Sequence, residues 1–319
     1  MDSEHPLPEP AGALYAPPPP GSIFRNERGL RAGWRVLAYL AQVVALGALI
    51  NLLLSLLVHT PKGHSPGPSV MFLLEAASLA TILLPALVMA RLERRPFGAY
   101  GLPGRGLPGR GLLVLRFWQG CALGAVEIAV LMGAIAAFGG YSFGPRLLAG
   151  QRLLGWALYW ALFFVLVGLF EEFLFRGYLQ YTLADGMGFW PAAWLLSLGF
   201  GAVHLFNRGE SPVGALSVAG IGLVFALALR RTGNLWMVVG WHAAFDFGET
   251  FLFSVPNSGM VFEGRLSDAS LHGPAWLTGG TVGPEASVFS FLTMGLAALF
   301  LHKAFPAVKA AVPIRDPAQ

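Results

Sequence analysis

The sequence predicts an all-α polytopic membrane protein, about eight transmembrane helices in one bundle. Three observations carry this prediction. The 319-residue chain is 55% hydrophobic and only 12% charged, whereas a soluble globular chain carries about 25% charged residues. Its apolar residues gather in long runs, and a helix needs about 20 such residues to cross the hydrocarbon layer. The few ionisable residues inside those runs stand out, because an unpaired ion buried in hydrocarbon costs several kcal/mol.

The overall balance excludes some function classes. The formal charge of +4 is modest, and the basic residues do not cluster on an aromatic-interleaved surface, so no nucleic-acid partner is expected. The single cysteine, Cys121, lies in an apolar run; it can form no intrachain disulfide and belongs to no cysteine-based zinc pattern. No signal peptide is evident, since the first apolar run is too long and follows a polar, Pro-rich start.

Taken in order, residues 1–30 form a Pro-rich tail, with four consecutive prolines at Pro17 to Pro20, expected to be disordered or polyproline II. Residues 31–306 form the membrane domain, and residues 307–319 a C-terminal tail. Eight helices are expected within the domain: about Val36–His59, Val70–Met89, Leu112–Phe138, Leu153–Leu183, Trp190–Phe206, Val213–Leu229, Leu235–Phe253 and Ser287–Phe305. The sixth is the shortest of these, and its Gly214, Gly220 and Gly222 suit close helix contact. The segment from Ser254 to Ala286 is polar, and the sequence does not decide whether it is ordered over the bundle or loose.

The basic residues predict the orientation. Arg25, Arg28, Arg31, Arg35, Arg91, Arg94, Arg95, Arg105 and Arg110 fall on one side with Arg116, Arg230, Arg231, Lys303, Lys309 and Arg315. Lys62, Arg146, Arg152, Arg208 and Arg265 fall on the other. Both termini are therefore expected on the cytoplasmic side of a cell membrane, with lipid as the surrounding partner.

Residues 168–178 read GLFEEFLFRGY and hold two adjacent carboxylates, Glu171 and Glu172, and a guanidinium, Arg176. Glu172 and Arg176 are four apart, share a helix face and can pair, leaving Glu171 available. A hairpin turning at Gly186 to Gly188 sets Glu171 and His204 each roughly 24–26 Å from the turn, at matching depth on neighbouring helices. His242, Asp246 and Glu249 share one face of the seventh helix. Counting residues leaves His242 closer to the cytoplasmic surface than Glu171, a gap the sequence does not close.

Such a set supports hydrolysis. A glutamate in a wet intramembrane pocket can act as general base on water, with a histidine beside it and a second histidine at an oxyanion. Glu171, His204, His242 and Asp246 can alternatively ligate Zn²⁺, although no HExxH motif is present. There are plainer readings: Glu172 with Arg176 as a structural ion pair, Phe200 as a packing residue, and Glu75 and Glu127 as polar groups without a role. A non-enzymatic alternative is a proton or cation path in a transporter, or a catalytically silent immunity or scaffold partner.

The motifs resemble a known family. Glu171-Glu172-Phe-Leu-Phe-Arg176, Phe200-Gly-Ala-Val-His204 and His242-Ala-Ala-Phe-Asp246, in that order on successive apolar helices, resemble the CAAX-processing and bacteriocin-processing (CPBP) intramembrane endopeptidases, which include proteins grouped under abortive infection. The resemblance covers about residues 150–253, and the Arg95 to Gly98 run resembles the family's lead-in. It implies an eight-helix bundle with a buried site open toward the cytoplasm. It implies Glu171 as the base that activates water, His204 assisting, and His242 with the residue at 246 on the oxyanion side; Glu172 and Arg176 complete the motif. The best-known members carry Asn at the last position, and this chain has Asp246. An ionised carboxylate donates no hydrogen bond, so the resemblance requires Asp246 to be protonated, to orient His242 or to bind metal. Members are described both as metalloproteases and as glutamate-type proteases. A peptide or protein substrate is implied, prenylated in the eukaryotic relatives.

Overall fold

The computed structural model describes residues 23–26, 29–57, 66–102, 110–207 and 209–306. The prolines of the N-terminal arm, Arg28, His59, Lys62, Arg105, Arg208, Lys309 and Arg315 lie outside the described residues. The fold is a helical bundle. A two-residue hairpin, β1 (Arg25–Asn26) with β2 (Gly29–Leu30), leads into α1 (Ala32–Leu57), followed by α2 (Pro68–Leu92), α3 (Arg110–Ala137) and α4 (Gly150–Glu172). A π-helical segment, Phe173–Tyr178, joins α4 to α5 (Leu179–Met187). Then come α6 (Phe189–His204), α7 (Pro212–Thr232), α8 (Leu235–Phe247) with a π-helical extension Gly248–Leu252, the short α9 (Ala275–Thr278), and α10 (Val288–Ala304).

Helix occupies every predicted apolar run, and the chain is an all-α, multi-pass membrane protein. Five helical stretches are long and apolar enough to cross a membrane among the described residues: Ala32–Leu57, Pro68–Leu92, Val114–Ala137, Gly150–Met187 and Pro212–Thr232. The helices at the fifth, seventh and eighth runs are shorter, with 16, 13 and 17 residues. The prediction that the sixth helix is the shortest is corrected: α7 has 21 residues, because Ser211 caps its first turn by accepting from the Gly214 amide and Gly233 closes its end at φ 62°. The fourth and seventh helices, expected to be continuous, are each interrupted by a π segment. Such segments recur at functional sites in helices, and both lie beside the charged residues singled out above.

The short α8 is the hub. Leu235, Met237, Val238 and Val239 are fully buried and Trp241 nearly so, as expected of a helix apolar on all sides. Close packing puts it there. A Cβ at Gly120 would sit 1.9 Å from the Met237 carbonyl, one at Gly124 2.1 Å from that of Trp241, and one at Gly240 2.2 Å from that of Phe117. Three glycines therefore bring the α3 and α8 backbones into contact, the small-residue device of membrane helices. On the other side, Gly168 of α4 faces Val239 and the His242 Cβ. This approach closes the gap in depth between Glu171 and His242 that residue counting leaves.

The polar segment from 254 to 286 is ordered over one end of the bundle. Its β4 (Ser270–Leu271) pairs antiparallel with β3 (Tyr141–Ser142). The Leu147 amide donates to Leu266 at 2.9 Å, the Gly259 amide donates to Val282 at 2.7 Å, and Gly264 lies against the Trp156 ring. At the opposite end, Arg35 pairs with Glu93 at 2.8 Å and Asp185 at 3.1 Å, and Arg95 joins the same two acids. The Arg95 to Gly98 run packs inward there, its Phe97 stacking on Phe173 at 5.7 Å. This aromatic contact holds the start of the π segment that carries Arg176.

Candidate active site

The two adjacent glutamates diverge in environment. Glu172, the last residue of α4, is fully buried. Its Oε1 accepts from Arg176 Nη1 at 3.3 Å and from His242 Nδ1 at 2.8 Å. Arg176 is itself buried, with its guanidinium 4.4 Å from the Phe200 ring centroid. Desolvated cation–π contact of this kind offsets part of the cost of burying the cation. A Cβ at Gly222 would lie 2.5 Å from Arg176 Nη2, so the bare α7 backbone makes the space for the guanidinium.

Glu171 is held less tightly. Its side chain keeps 22% exposure, and its Oε2 lies 3.7 Å from His242 Nε2, an electrostatic contact longer than a hydrogen bond. Its charged neighbours are His204, His242, Asp246 and Glu172. The pairing of Glu172 with Arg176 thus leaves Glu171 without a fixed partner, as the spacing predicts.

His204 ends α6, where its Nδ1 lies 2.8 Å from the Phe200 carbonyl. A carbonyl only accepts, so Nδ1 carries a proton and Nε2 is left for other work. The Phe200 ring stands edge-on to His204 at 4.8 Å while its face covers Arg176. Phe200 is a packing residue, as predicted, and it spaces these two charged groups.

His242 bridges the set. Nδ1 meets Glu172, while Nε2 faces Asp246 Oδ2 at 3.4 Å and Glu171 at 3.7 Å. The structure thus gathers Glu171, Glu172, Arg176, His204, His242 and Asp246 around one point where α4, α6 and α8 meet. A cavity of about 70 Å³ adjoins them, and His204, His242, Asp246 and Glu249 are on its wall. Its wall is largely apolar but carries these ionisable groups with Glu127, Glu285 and three serines, and it is large enough for water. Glu171 reaches it through its two histidine neighbours and is not itself on the wall.

The zinc set does not form. Among the described residues no group of three or more His, Cys, Asp or Glu side chains is arranged to hold a metal ion. At His242 Nδ1 is taken by Glu172, while Nε2 faces Asp246 at 3.4 Å and Glu171 at 3.7 Å. A metalloprotease reading has no support in this arrangement.

Residues 153–248 match the model of the family described as type II CAAX prenyl endopeptidase Rce1-like. The chain carries an Rce1-like domain. The matched span starts early in α4 and ends just past α8, so it includes all three motifs and agrees with the resemblance to the CPBP endopeptidases. No curated protein and no solved structure matches the chain.

The structure also places acids that the sequence reading left without a role. Glu75 of α2 lies within electrostatic range of Glu171 and His242, and its Oε1 is buried without a hydrogen bond among the described residues. Glu127 of α3 accepts from Trp241 Nε1 at 2.6 Å and lines the cavity. Both were legible as ionisable residues inside apolar runs, the usual mark of a functional position. Glu285, which also lines the cavity, stands in the segment after α9 and carries no such signal.

Proposed function

We propose that this protein is an intramembrane endopeptidase of CAAX type, using a glutamate-activated water and no metal. The observation that carries the reading is the split between neighbouring carboxylates. Glu172 is locked between Arg176 and His242, while Glu171 lies beside both histidines with no fixed partner. The Rce1-like match over 153–248 supports the same class of chemistry.

In this reading Glu171 takes a proton from water as the oxygen attacks the scissile carbonyl. Such general-base catalysis contributes about 10²–10⁴-fold. His204 Nε2 positions that water, since its Nδ1 proton is directed at Phe200. His242, between the Glu172 and Asp246 carboxylates, acts as imidazolium and stabilises the oxyanion by charge. Asp246 then has no need to donate a hydrogen bond; it orients and stabilises the ring. This accounts for Asp where the best-known relatives have Asn. The leaving amine takes up a proton as the C–N bond breaks, and Glu171 gives up the one it took from water. The substrate is a peptide or protein at the membrane, and the termini lie on the cytoplasmic side.

A proteoliposome assay offering both a quenched peptide and a pH gradient tests this reading. Cleavage by the wild type and its loss in Glu171→Ala and His204→Ala, with both variants folded and inserted, is the expected result. Gradient dissipation without cleavage would replace the reading with the transporter alternative. Comparison of membrane peptides between cells carrying the wild type and Glu171→Gln would then identify the substrate.

A further inference from the structure

The cavity beside His242 and Asp246 continues to a second group of acids. Glu249, on the π extension of α8, is 1% exposed and lines it. Neither of its carboxyl oxygens meets a hydrogen-bonding N–H or hydroxyl group among the described residues. Its Oε1 lies against the turn that carries Glu285, 3.4 Å from where a Cβ on Gly283 would stand, and Glu285 lines the same cavity. Glu285 is buried too, and its Oε1 accepts from the Ser258 amide at 2.6 Å and the Ser258 hydroxyl at 2.8 Å. The chief charged influences on Glu249 are Glu285, Asp246 one turn earlier, and Glu210 from the stretch before α7, all of them acids. Asn257 donates its amide to Thr250 at 3.3 Å and makes no hydrogen bond to Glu249.

Two carboxyls buried on the wall of one cavity resist being ionised together. Ser258 donates twice to Glu285, which favours the carboxylate there, so a proton held by the two acids resides on Glu249. Burial pushes the Glu285 carboxyl up as well, so the proton stays with the pair as a unit. The cavity then connects this acid to the histidines beside Glu171.

We propose that Glu249 and Glu285 form a single-proton carboxylic acid pair that serves the hydrolytic cavity as its proton store. This rests on the peptidase reading. The C–O bond forms as water gives a proton to Glu171. The C–N bond breaks as the nitrogen takes a proton from Glu249 through cavity water, in step with relay of the Glu171 proton to the pair, which keeps one proton throughout. That relay runs past His242 and Asp246. One water and one peptide bond are consumed and no other reactant is needed. With the store in place, the leaving amine draws on an acid at the cavity wall, which Glu171 does not reach directly.

The test uses the full-length protein in proteoliposomes. Infrared difference spectra of wild type against Glu249→Gln and Glu285→Gln should each lose a protonated-carboxyl C=O band. Separately, kcat for a quenched peptide should fall about tenfold or more in Glu249→Gln at unchanged KM, with a displaced alkaline limb in its pH profile. Glu249→Asp should restore much of the rate. Spectra without the band loss, or an unshifted kcat–pH profile in both glutamine variants, would overturn the proton store. Hydrolysis by the wild type alongside such a result would leave the peptidase reading standing. No hydrolysis by the wild type would overturn that reading and the store's role together, while the infrared band still reports whether the proton is shared.

Discussion

Around His242 the acids face cations: Glu172 has Arg176 and the ring Nδ1, and Asp246 and Glu171 have Nε2. Around Glu249 the neighbours are themselves acids. Both regions border one cavity and are built on the same helix, α8 with its π extension. The first holds its charges by pairing, and the second, in our proposal, holds its acids by sharing a proton. Removing a member of the first leaves an uncompensated buried ion, whereas removing a member of the second leaves a single acid that can stay neutral. The two regions should therefore answer mutation differently.

The largest expected effect on stability is at Glu172. Glu172→Ala strands Arg176 and frees the Nδ1 side of His242, and breaking a buried pair costs about 3–5 kcal/mol. Thermal unfolding in detergent should show it as a large fall in Tm; a loss below about 1 kcal/mol would mean the pair holds little. Next is Gly222→Ala, whose Cβ would press on Arg176 Nη2 and, at 3.0 Å, on Ser197 Oγ. Overpacking of this kind costs about 1–3 kcal/mol, and activity should fall with it as the guanidinium moves off Phe200. Phe200→Leu keeps apolar bulk but removes the ring beneath Arg176, costing about 1 kcal/mol through the lost cation–π contact and loosening His204; unfolding and peptide turnover together would register both. The smallest change in stability is at Glu249→Gln, within about 1 kcal/mol of the wild type, because the amide can donate to Glu285 as the carboxyl does. A fall as large as that of Glu172→Ala would erase the distinction between the two regions.

Much of this arrangement was readable from the residues. Apolar runs fixed where helices form, since a spanning segment must satisfy its own backbone hydrogen bonds. The i to i+4 spacings of Glu172 with Arg176 and of His242 with Asp246 survive as contacts in the structure. Equal counting from the Gly186 to Gly188 turn set Glu171 and His204 at one depth, and the two lie within electrostatic range of each other. Depth across non-adjacent helices was not readable. The position of α8 against α3 and α4 depends on Gly120, Gly124, Gly168 and Gly240 meeting across the interface, a tertiary property with no local period. Chain interruptions escaped for a related reason: the π segments at 173–178 and 248–252 lie in apolar stretches whose composition suits an α-helix equally well. Glu285 escaped because its burial depends on the loop folding back over the bundle.

The central claim is that Glu171, and not its neighbour, is the base. Its most direct test is kcat for peptide hydrolysis by reconstituted Glu171→Gln, an isosteric change at a side chain with no fixed partner. The account predicts a loss of about 10²–10⁴-fold with wild-type Tm and unchanged KM. Turnover within a few-fold of the wild type would contradict it.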